Sequence, residues 1–200
     1  MTQPALAMVN LLHRLHRLHR LRRDRWTRSG LMACVCALVW ALAAPGVRAQ
    51  TASEAAVKAG FVYNFIKFTQ WPGLREGTPI RLCAASARPL DGQLSLLQGR
   101  SVGNRLLEVR LATPATDWRQ CDVLFLDEED ADRLSLVSAR LVRAPVLTLG
   151  DLPGFVDAGG MIGLRVEASR VRFDVNLNSA QQSGLVLNSQ MLKLAGRVVQ

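Results

Sequence analysis

Histidine is absent from the chain after residue 19. The three histidines lie at positions 13, 16 and 19, so residues 50–200 offer no base for a Ser-His-Asp triad or a Cys-His pair and no imidazole for a metal site. The same region lacks a P-loop, a Gly-x-Gly-x-x-Gly turn after a strand and a Gly-x-Ser-x-Gly elbow. We therefore expect a protein that is not an enzyme and holds no cofactor or metal.

Net positive charge is also scarce once the first 49 residues are set aside. The whole chain has 25 Lys and Arg against 16 Asp and Glu, for a net charge of +9. Eight of the arginines and one aspartate lie in residues 1–49, which leaves 17 basic and 15 acidic residues and a net charge of +2. The basic composition of the whole chain would suggest nucleic acid as a partner, but the remaining region does not support one.

The first 49 residues have the order of a secretory signal peptide. A basic segment, Arg20–Arg28, precedes the apolar stretch Leu31–Ala44 and the small-x-small site Val47-Arg48-Ala49, after which we expect cleavage. The apolar stretch is shorter than the roughly 20 residues of a membrane span. An uncleaved anchor is the alternative, and the long basic region leaves Met1, Met8 and Met32 as possible starts.

Cysteine is reduced to one pair in the exported region. Cys34 and Cys36 belong to the leader, and Cys83 and Cys121 remain. In an oxidising compartment an even pair favours a disulfide. A structural disulfide, a switchable one and two free thiols are all compatible with the sequence.

The hydrophobic periodicity predicts one α/β domain over residues 50–200. Thr51-Ala52-Ser53-Glu54 resembles a capping box, and the helix after it has an apolar stripe and should end at Trp71-Pro72. Later segments alternate between apolar strands and helices, and a hairpin forms near the end. The expected fold is a single layered domain with a mixed, mostly parallel sheet flanked by helices. The stripe comprises Val57, Phe61, Val62, Phe65, Ile66 and Phe68, and the further expected elements are strands 80–85, 106–111, 123–126 and 146–149, a short helix over 90–97, a helix after Asp127, a hairpin of 161–167 and 171–177, a short helix capped by Asn178, and a last helix from Ser189 to Val198.

Two polar segments are explained by local structure without a binding site. The acidic run from Asp127 to Asp130 with Asp132 lacks the glycine and distal Glu of a calcium loop and suits the first turn of a helix. The glycines from Gly150 to Gly163 are typical of turns.

If a partner surface exists, we expect it on this loop and the hairpin, whose outward side chains are available for contact. Its candidate residues are Phe155, Met161, Arg165, Arg172 and Asn176.

The order of several motifs resembles the YfiR-like family of exported bacterial proteins. The resemblance is colinear over nearly all of residues 54–198. Its segments are Val57–Phe68 with Trp71-Pro72, Leu82-Cys83, Cys121–Phe125, Leu149–Phe155, Gly159–Ile162, Val171–Leu177, Gly184-Leu185 and Ser189–Ala195.

This resemblance implies a periplasmic α/β protein without enzymatic activity. The best-known member represses an inner-membrane diguanylate cyclase by binding its periplasmic sensor region, which lowers cyclic di-GMP and biofilm formation. Cys83 and Cys121 match the family's disulfide pair, whereas the second disulfide of that member, matching about 157–165, has no counterpart here. An outer-membrane lipoprotein is a further candidate partner, and a homodimer is the candidate assembly by frequency.

A second class of function is a periplasmic small-ligand-binding module that serves another membrane sensor or receptor. Ligands of open α/β sheets favour the crevice at the carboxyl ends of the strands. In this chain those ends lead into Ser86-Ala87-Arg88, Asp127-Glu128 and Gly150-Asp151.

Overall fold

A computed structural model describes residues 53–111 and 116–200. The expected signal peptide and Thr51 lie outside the described residues. The first helix, α1, spans Glu54–Lys67, and its N-cap is Ser53, whose hydroxyl oxygen accepts a hydrogen bond from the Ala56 amide at 3.2 Å. The start of the helix was therefore predicted correctly, but the expected capping box was not, because Ser53 is the cap and Glu54 is the first helical residue.

Two expectations for α1 are wrong. The helix ends at Lys67 instead of near Trp71, because Thr69–Gln70 already forms strand β1, which pairs with Val186–Leu187. Its buried face also differs from the expected stripe: Val57 and Phe68 are 37% and 41% exposed, whereas Val62, Phe65 and Ile66 are buried. The buried face is thus centred on the side of Val62 and Ile66, away from Val57 and Phe68.

The remaining elements alternate between strands and helices. Three 3-10 segments, Pro89–Leu97, Trp118–Gln120 and Glu128–Arg133, lie between them. The strands are β2 (Ile80–Ala84), β3 (Ser101–Val102), β4 (Arg105–Leu111), β5 (Val123–Leu126), β6 (Leu147–Gly150), β7 (Ile162–Glu167), β8 (Arg170–Asn176), β9 (Val186–Leu187) and β10 (Arg197–Val199), and the helices are α2 (Leu134–Leu141), α3 (Leu177–Gln182) and α4 (Ser189–Leu192).

Within the described residues, the main sheet has eight strands in the order β10-β8-β7-β6-β5-β2-β4-β3. The pairs β10–β8, β7–β6, β6–β5, β5–β2 and β2–β4 are parallel, and the pairs β7–β8 and β3–β4 are antiparallel. This arrangement confirms the expected mixed, mostly parallel sheet with a late hairpin. Strands β1 and β9 form a separate two-stranded sheet.

Both faces of the sheet are covered, because residues of the central strands alternate between two apolar clusters. On β5, Val123 and Phe125 join the larger cluster with α1, whereas Leu124 and Leu126 join the smaller cluster with α2. On α2, the expected core residues Leu134, Val137 and Leu141 are buried, but Val142 is 61% exposed because the helix ends before it.

The hairpin turn has two residues in the left-handed region. Ala168 and Ser169 have φ values of 48° and 58°, as a two-residue hairpin turn of the primed kind requires. The strands then pair from Glu167 with Arg170 to Ile162 with Val175. The helix after the hairpin is capped by Asn176, whose side-chain oxygen accepts from the Ser179 amide at 2.9 Å, and not by Asn178 as expected.

The end of the chain is also different from the expectation. The predicted helix from Ser189 to Val198 stops at Leu192, and β10 follows it as a parallel edge strand beside β8. Gly196 lies between them, and its amide donates to the Phe173 carbonyl at 2.9 Å. The β-branched residues Val198 and Val199 then continue along the sheet, as β-branched side chains favour.

Candidate functional site

The carboxyl edge of the parallel strands was one candidate site. The strand order reverses between β2 and β5, which is where ligands of open α/β sheets bind. The side chains here bind one another: the Ser86 hydroxyl donates to the Asp127 carboxylate at 2.5 Å, and the Lys58 ammonium lies 2.8 Å from Asp151. These polar side chains at the carboxyl edge of the sheet are therefore already bound to one another.

Lys58 reaches this edge from α1 and is only 8% exposed. Its Nζ atom contacts Asp151 at 2.8 Å and Glu54, one helical turn earlier, at 2.6 Å. Burial by itself lowers the pKa of the Lys58 ammonium, but the hydrogen bonds and charges of Asp151 and Glu54 outweigh burial and raise that pKa. The ion pair fixes α1 to the loop after β6.

The acidic run after β5 caps a helix. Asp127 accepts from the Glu129 amide at 3.2 Å, and the Asp130 carboxylate accepts from the Asp127 amide at 3.4 Å. Asp130 is 2% exposed, and its burial raises the pKa of its carboxyl group. Within the described residues, no group of three His, Cys, Asp or Glu side chains is placed to hold a metal ion.

The five candidate partner-contact residues separate into two sets. Phe155, Met161 and Asn176 are 2%, 4% and 9% exposed, so the expectation that they face outward is wrong. Phe155 fills the space beside the glycines of its own loop, and the side-chain Nδ2 of Asn176 donates to the Val156 carbonyl at 3.0 Å. Arg165 and Arg172 do reach the surface.

Arg165 and Arg172 are direct cross-strand partners on the hairpin, so both side chains leave the same face of the sheet. Arg165 binds Glu167 at 2.5 Å and Asp174 at 3.3 Å. Among the residues that the structure describes, Arg172 makes no ion pair within 4 Å, although after Arg165 its charge also lowers the pKa of Glu167. The opposite face, with Phe173 and Val175, is buried as the sequence predicted. This exposed hairpin face, Arg165 with Arg172, is the surface that we retain as a candidate contact region.

Cys83 and Cys121 form a disulfide. Cys83 lies within β2, Cys121 lies two residues before β5, and their Cα atoms are 5.9 Å apart. Both residues are buried, at 2% and 3% exposed, beside Trp118 and Leu124 in the smaller cluster. The pairing that the sequence left open is therefore formed in the structure.

A polar cluster beside Cys121 was missed by the sequence reasoning. Asp122, 5% exposed, accepts from the Arg81 backbone amide at 2.8 Å and from its guanidinium at 3.0 and 3.2 Å. The hydrogen bonds that the Asp122 carboxylate accepts raise the pKa of the Arg81 guanidinium. The Trp71 indole also donates to the Asp122 carbonyl at 3.2 Å. The sequence offered one signal for this cluster, which is the charged residue Arg81 between apolar neighbours of a predicted strand.

The family model described as YfiR/HmsC-like matches residues 55–196. The chain belongs to the YfiR/HmsC-like family. The match spans α1 to the residue before β10 and includes both disulfide cysteines. Within the described residues, none of the helices has the length and hydropathy of a membrane span.

Two solved structures are similar to this YfiR/HmsC-like chain. One is a conserved domain protein from Vibrio cholerae O1 biovar El Tor, with a TM-score of 0.50 and 11% identity over 73% of this chain. The chain spans 60% of the length of that structure. The other is the ABC domain in complex with L-Trp from Streptococcus pneumonia, with a TM-score of 0.48 and 11% identity over 72% of this chain and 60% of that one.

Proposed function

We propose that this YfiR/HmsC-like protein is a periplasmic regulator of cyclic di-GMP signalling. In this proposal it binds the periplasmic sensor region of an inner-membrane diguanylate cyclase, represses it, and lowers cyclic di-GMP and biofilm formation. The observation that carries the proposal is the family match over residues 55–196. The protein acts by binding and not by catalysis.

The leader pattern and the disulfide support a periplasmic location. A basic segment, an apolar stretch and a small-residue site precede the domain, and an internal disulfide suits an oxidising compartment. Mass spectrometry of the protein recovered from a periplasmic extract should give an N-terminus at Gln50. Recovery of the intact chain from the membrane fraction would instead favour an uncleaved anchor.

The cellular function is tested by deleting the gene in its native host. Cyclic di-GMP and biofilm mass should rise in the deletion strain and return to normal with the wild-type gene. A matched strain that also lacks the co-purifying cyclase should show no rise. An unchanged cyclic di-GMP level in the deletion strain, with no cyclase recovered by pull-down, would contradict the proposal. The same pull-down tests an outer-membrane lipoprotein as a further partner.

The exposed hairpin face is the contact surface that we propose for the cyclase. Arg172→Glu reverses a charge that has no ion-pair partner in the described chain, so the fold should tolerate it. The variant should recover less cyclase in a pull-down and fail to restore low cyclic di-GMP. Arg75→Glu, the same charge change at an exposed position outside the hairpin, is the control and should behave as wild type. Equal recovery with both variants would remove the hairpin from the interface.

A further inference from the structure

A cleft of about 300 Å³ lies between α2, the loop after β6 and α3. The Ser138 hydroxyl on α2 donates to the Ala158 carbonyl of the loop at 3.0 Å, which joins two of its walls. This volume is at the lower end of the range of small-molecule sites. The cleft is separate from the exposed hairpin face, since neither Arg165 nor Arg172 lines it.

The lining of the cleft is largely apolar. Phe155 and Met161, at 2% and 4% exposed, contribute to it from the loop and the start of β7, and Val137 and Leu141 contribute from α2. Such a surface gains free energy when an apolar group displaces water from it.

Two nearly buried hydroxyl groups are available in the same cleft. Ser183 is 7% exposed, and its hydroxyl forms no hydrogen bond with any described residue. The Ser183 oxygen is not fully enclosed and can be reached by a ligand. Among the described residues, the side-chain atom that is both fully enclosed and without a partner is Asp174 Oδ1. Thr148, 6% exposed, accepts from the Met161 amide at 3.0 Å and keeps its own proton to donate. Both groups can donate to a ligand oxygen.

The charge of the cleft is positive. Arg143 lines it, and no Asp or Glu among the described residues does so. Arg143 also has no carboxylate partner in the described chain. It stands just after the end of α2 with a φ of 58°, where glycine is the residue of lowest cost. Arg143 therefore carries an unpaired positive charge at a position whose left-handed backbone disfavours any residue with a side chain.

We propose that this cleft binds a small apolar molecule that carries one carboxylate and no cationic group. Its apolar part packs on Phe155 and Met161, and its carboxylate accepts hydrogen bonds from the Ser183 and Thr148 hydroxyls in the positive potential of Arg143. An ammonium group on the same molecule would find no carboxylate in the described lining. The proposal is independent of the cyclase partner, so either can fail without the other.

The test uses hexanoate as the probe and hexylammonium as its matched opposite charge. In ¹⁵N-labelled protein comprising residues 50–200, millimolar hexanoate should shift the amide resonances of Gly159, Gly160, Met161 and Ser183 in a saturable manner. Hexylammonium should bind at least about tenfold more weakly, because Arg143 repels its charge and no Asp or Glu in the described lining pairs with it.

Two variants separate binding from folding. Ser183→Ala should weaken hexanoate binding about fivefold, as expected for one lost hydrogen bond. Arg143→Gly should remove the preference for hexanoate over hexylammonium while raising the melting temperature, because glycine adopts the left-handed backbone without strain. Arg75→Gln, which removes a positive charge outside the cleft, should change neither quantity.

Three results would overturn the proposal. The first is the absence of saturable shifts with hexanoate, and the second is equal binding of hexanoate and hexylammonium to the wild type. The third is saturable binding that Ser183→Ala and Arg143→Gly leave unchanged, since the ligand would then occupy another place.

Discussion

The Phe155 ring determines which of the positions around it must be glycine. A Cβ atom added at Gly150 or Gly160 would overlap the Phe155 ring, and one at Gly163 would come within 3.3 Å of the Phe155 Cβ atom. Gly154 and Gly159, by contrast, have φ values of 69° and 94° and serve the turns. The sequence reasoning gave all these glycines to turns, because spacing alone does not show which of them a ring approaches.

The close approach predicts a large effect of a single methyl group. Gly160→Ala should lower the free energy of unfolding by about 1–3 kcal/mol, because the ring must move out of a packed position. Urea denaturation measures the change. Gly60→Ala is the control: that glycine lies within α1 with open space beside it, so alanine should raise stability by about 0.5–1 kcal/mol. Equal effects of the two alanines would contradict the role of the ring.

Lys58 predicts a dependence of stability on alkaline pH. Its pKa is raised in the folded protein above the value of about 10.4 expected for the unfolded chain, so its contribution is complete below that pH and is lost as the pH rises through the folded value. Lys58→Met should cost about 2 kcal/mol at pH 7, since Asp151 loses its partner.

The measurement is the difference in unfolding free energy between wild type and Lys58→Met from pH 7 to the alkaline limit. That difference should stay constant up to about pH 10 and shrink above it. A difference that stays constant or grows as the pH rises above 10 would show that the folded pKa of Lys58 is not raised above the unfolded value.

At the scale of elements, apolar strands were predictable and chain ends were less so. Strand β5 was found because all four of its residues are apolar, and β2 because four of its five residues are apolar; Asp127 marked the helix after β5. The last helix was wrong because Leu192, Ala195 and Val198 fit helical spacing, whereas pairing with β8 is a long-range contact that local spacing does not contain.

The candidate site was predicted less well than the strands. Arg165 and Arg172 were correctly placed at the surface of the hairpin by alternation. Phe155 and Met161 were not, because glycine-rich loops have no periodicity from which burial can be inferred.

The hairpin turn can be improved by residues that tolerate positive φ. Replacing Ala168-Ser169 by Asn-Gly should raise the free energy of unfolding by about 1 kcal/mol, because both turn residues have left-handed backbones. Ser169→Val is the opposite control and should lower it, since a β-branched side chain is strained there. Urea denaturation of both variants checks the prediction, and a gain with valine would contradict it.

At the scale of the whole molecule, the disulfide connects β2 to the residues just before β5, which is the strand beside it in the centre of the sheet. Cys83 and Cys121 are 38 residues apart, and the segment between them includes β3 and β4 at one edge of the sheet. The Cys83→Ser/Cys121→Ser variant should lose about 4 kcal/mol of stability, because its unfolded chain gains the entropy of an open loop.

Urea denaturation of that variant, beside wild type with and without a reducing agent, measures this loss. Reduced wild type should match the variant. A variant as stable as the oxidised wild type would show that sheet packing alone holds the β2–β5 pair.

The same bridge makes the segment from Cys83 to Cys121 a covalent ring. A protease that cuts the backbone once inside the ring leaves two pieces joined through sulfur, which migrate as one species until they are reduced. A cut outside the ring releases a separate fragment at once. Digestion patterns with and without a reductant therefore show whether the protein isolated from cells carries the bridge, without any measurement of its stability.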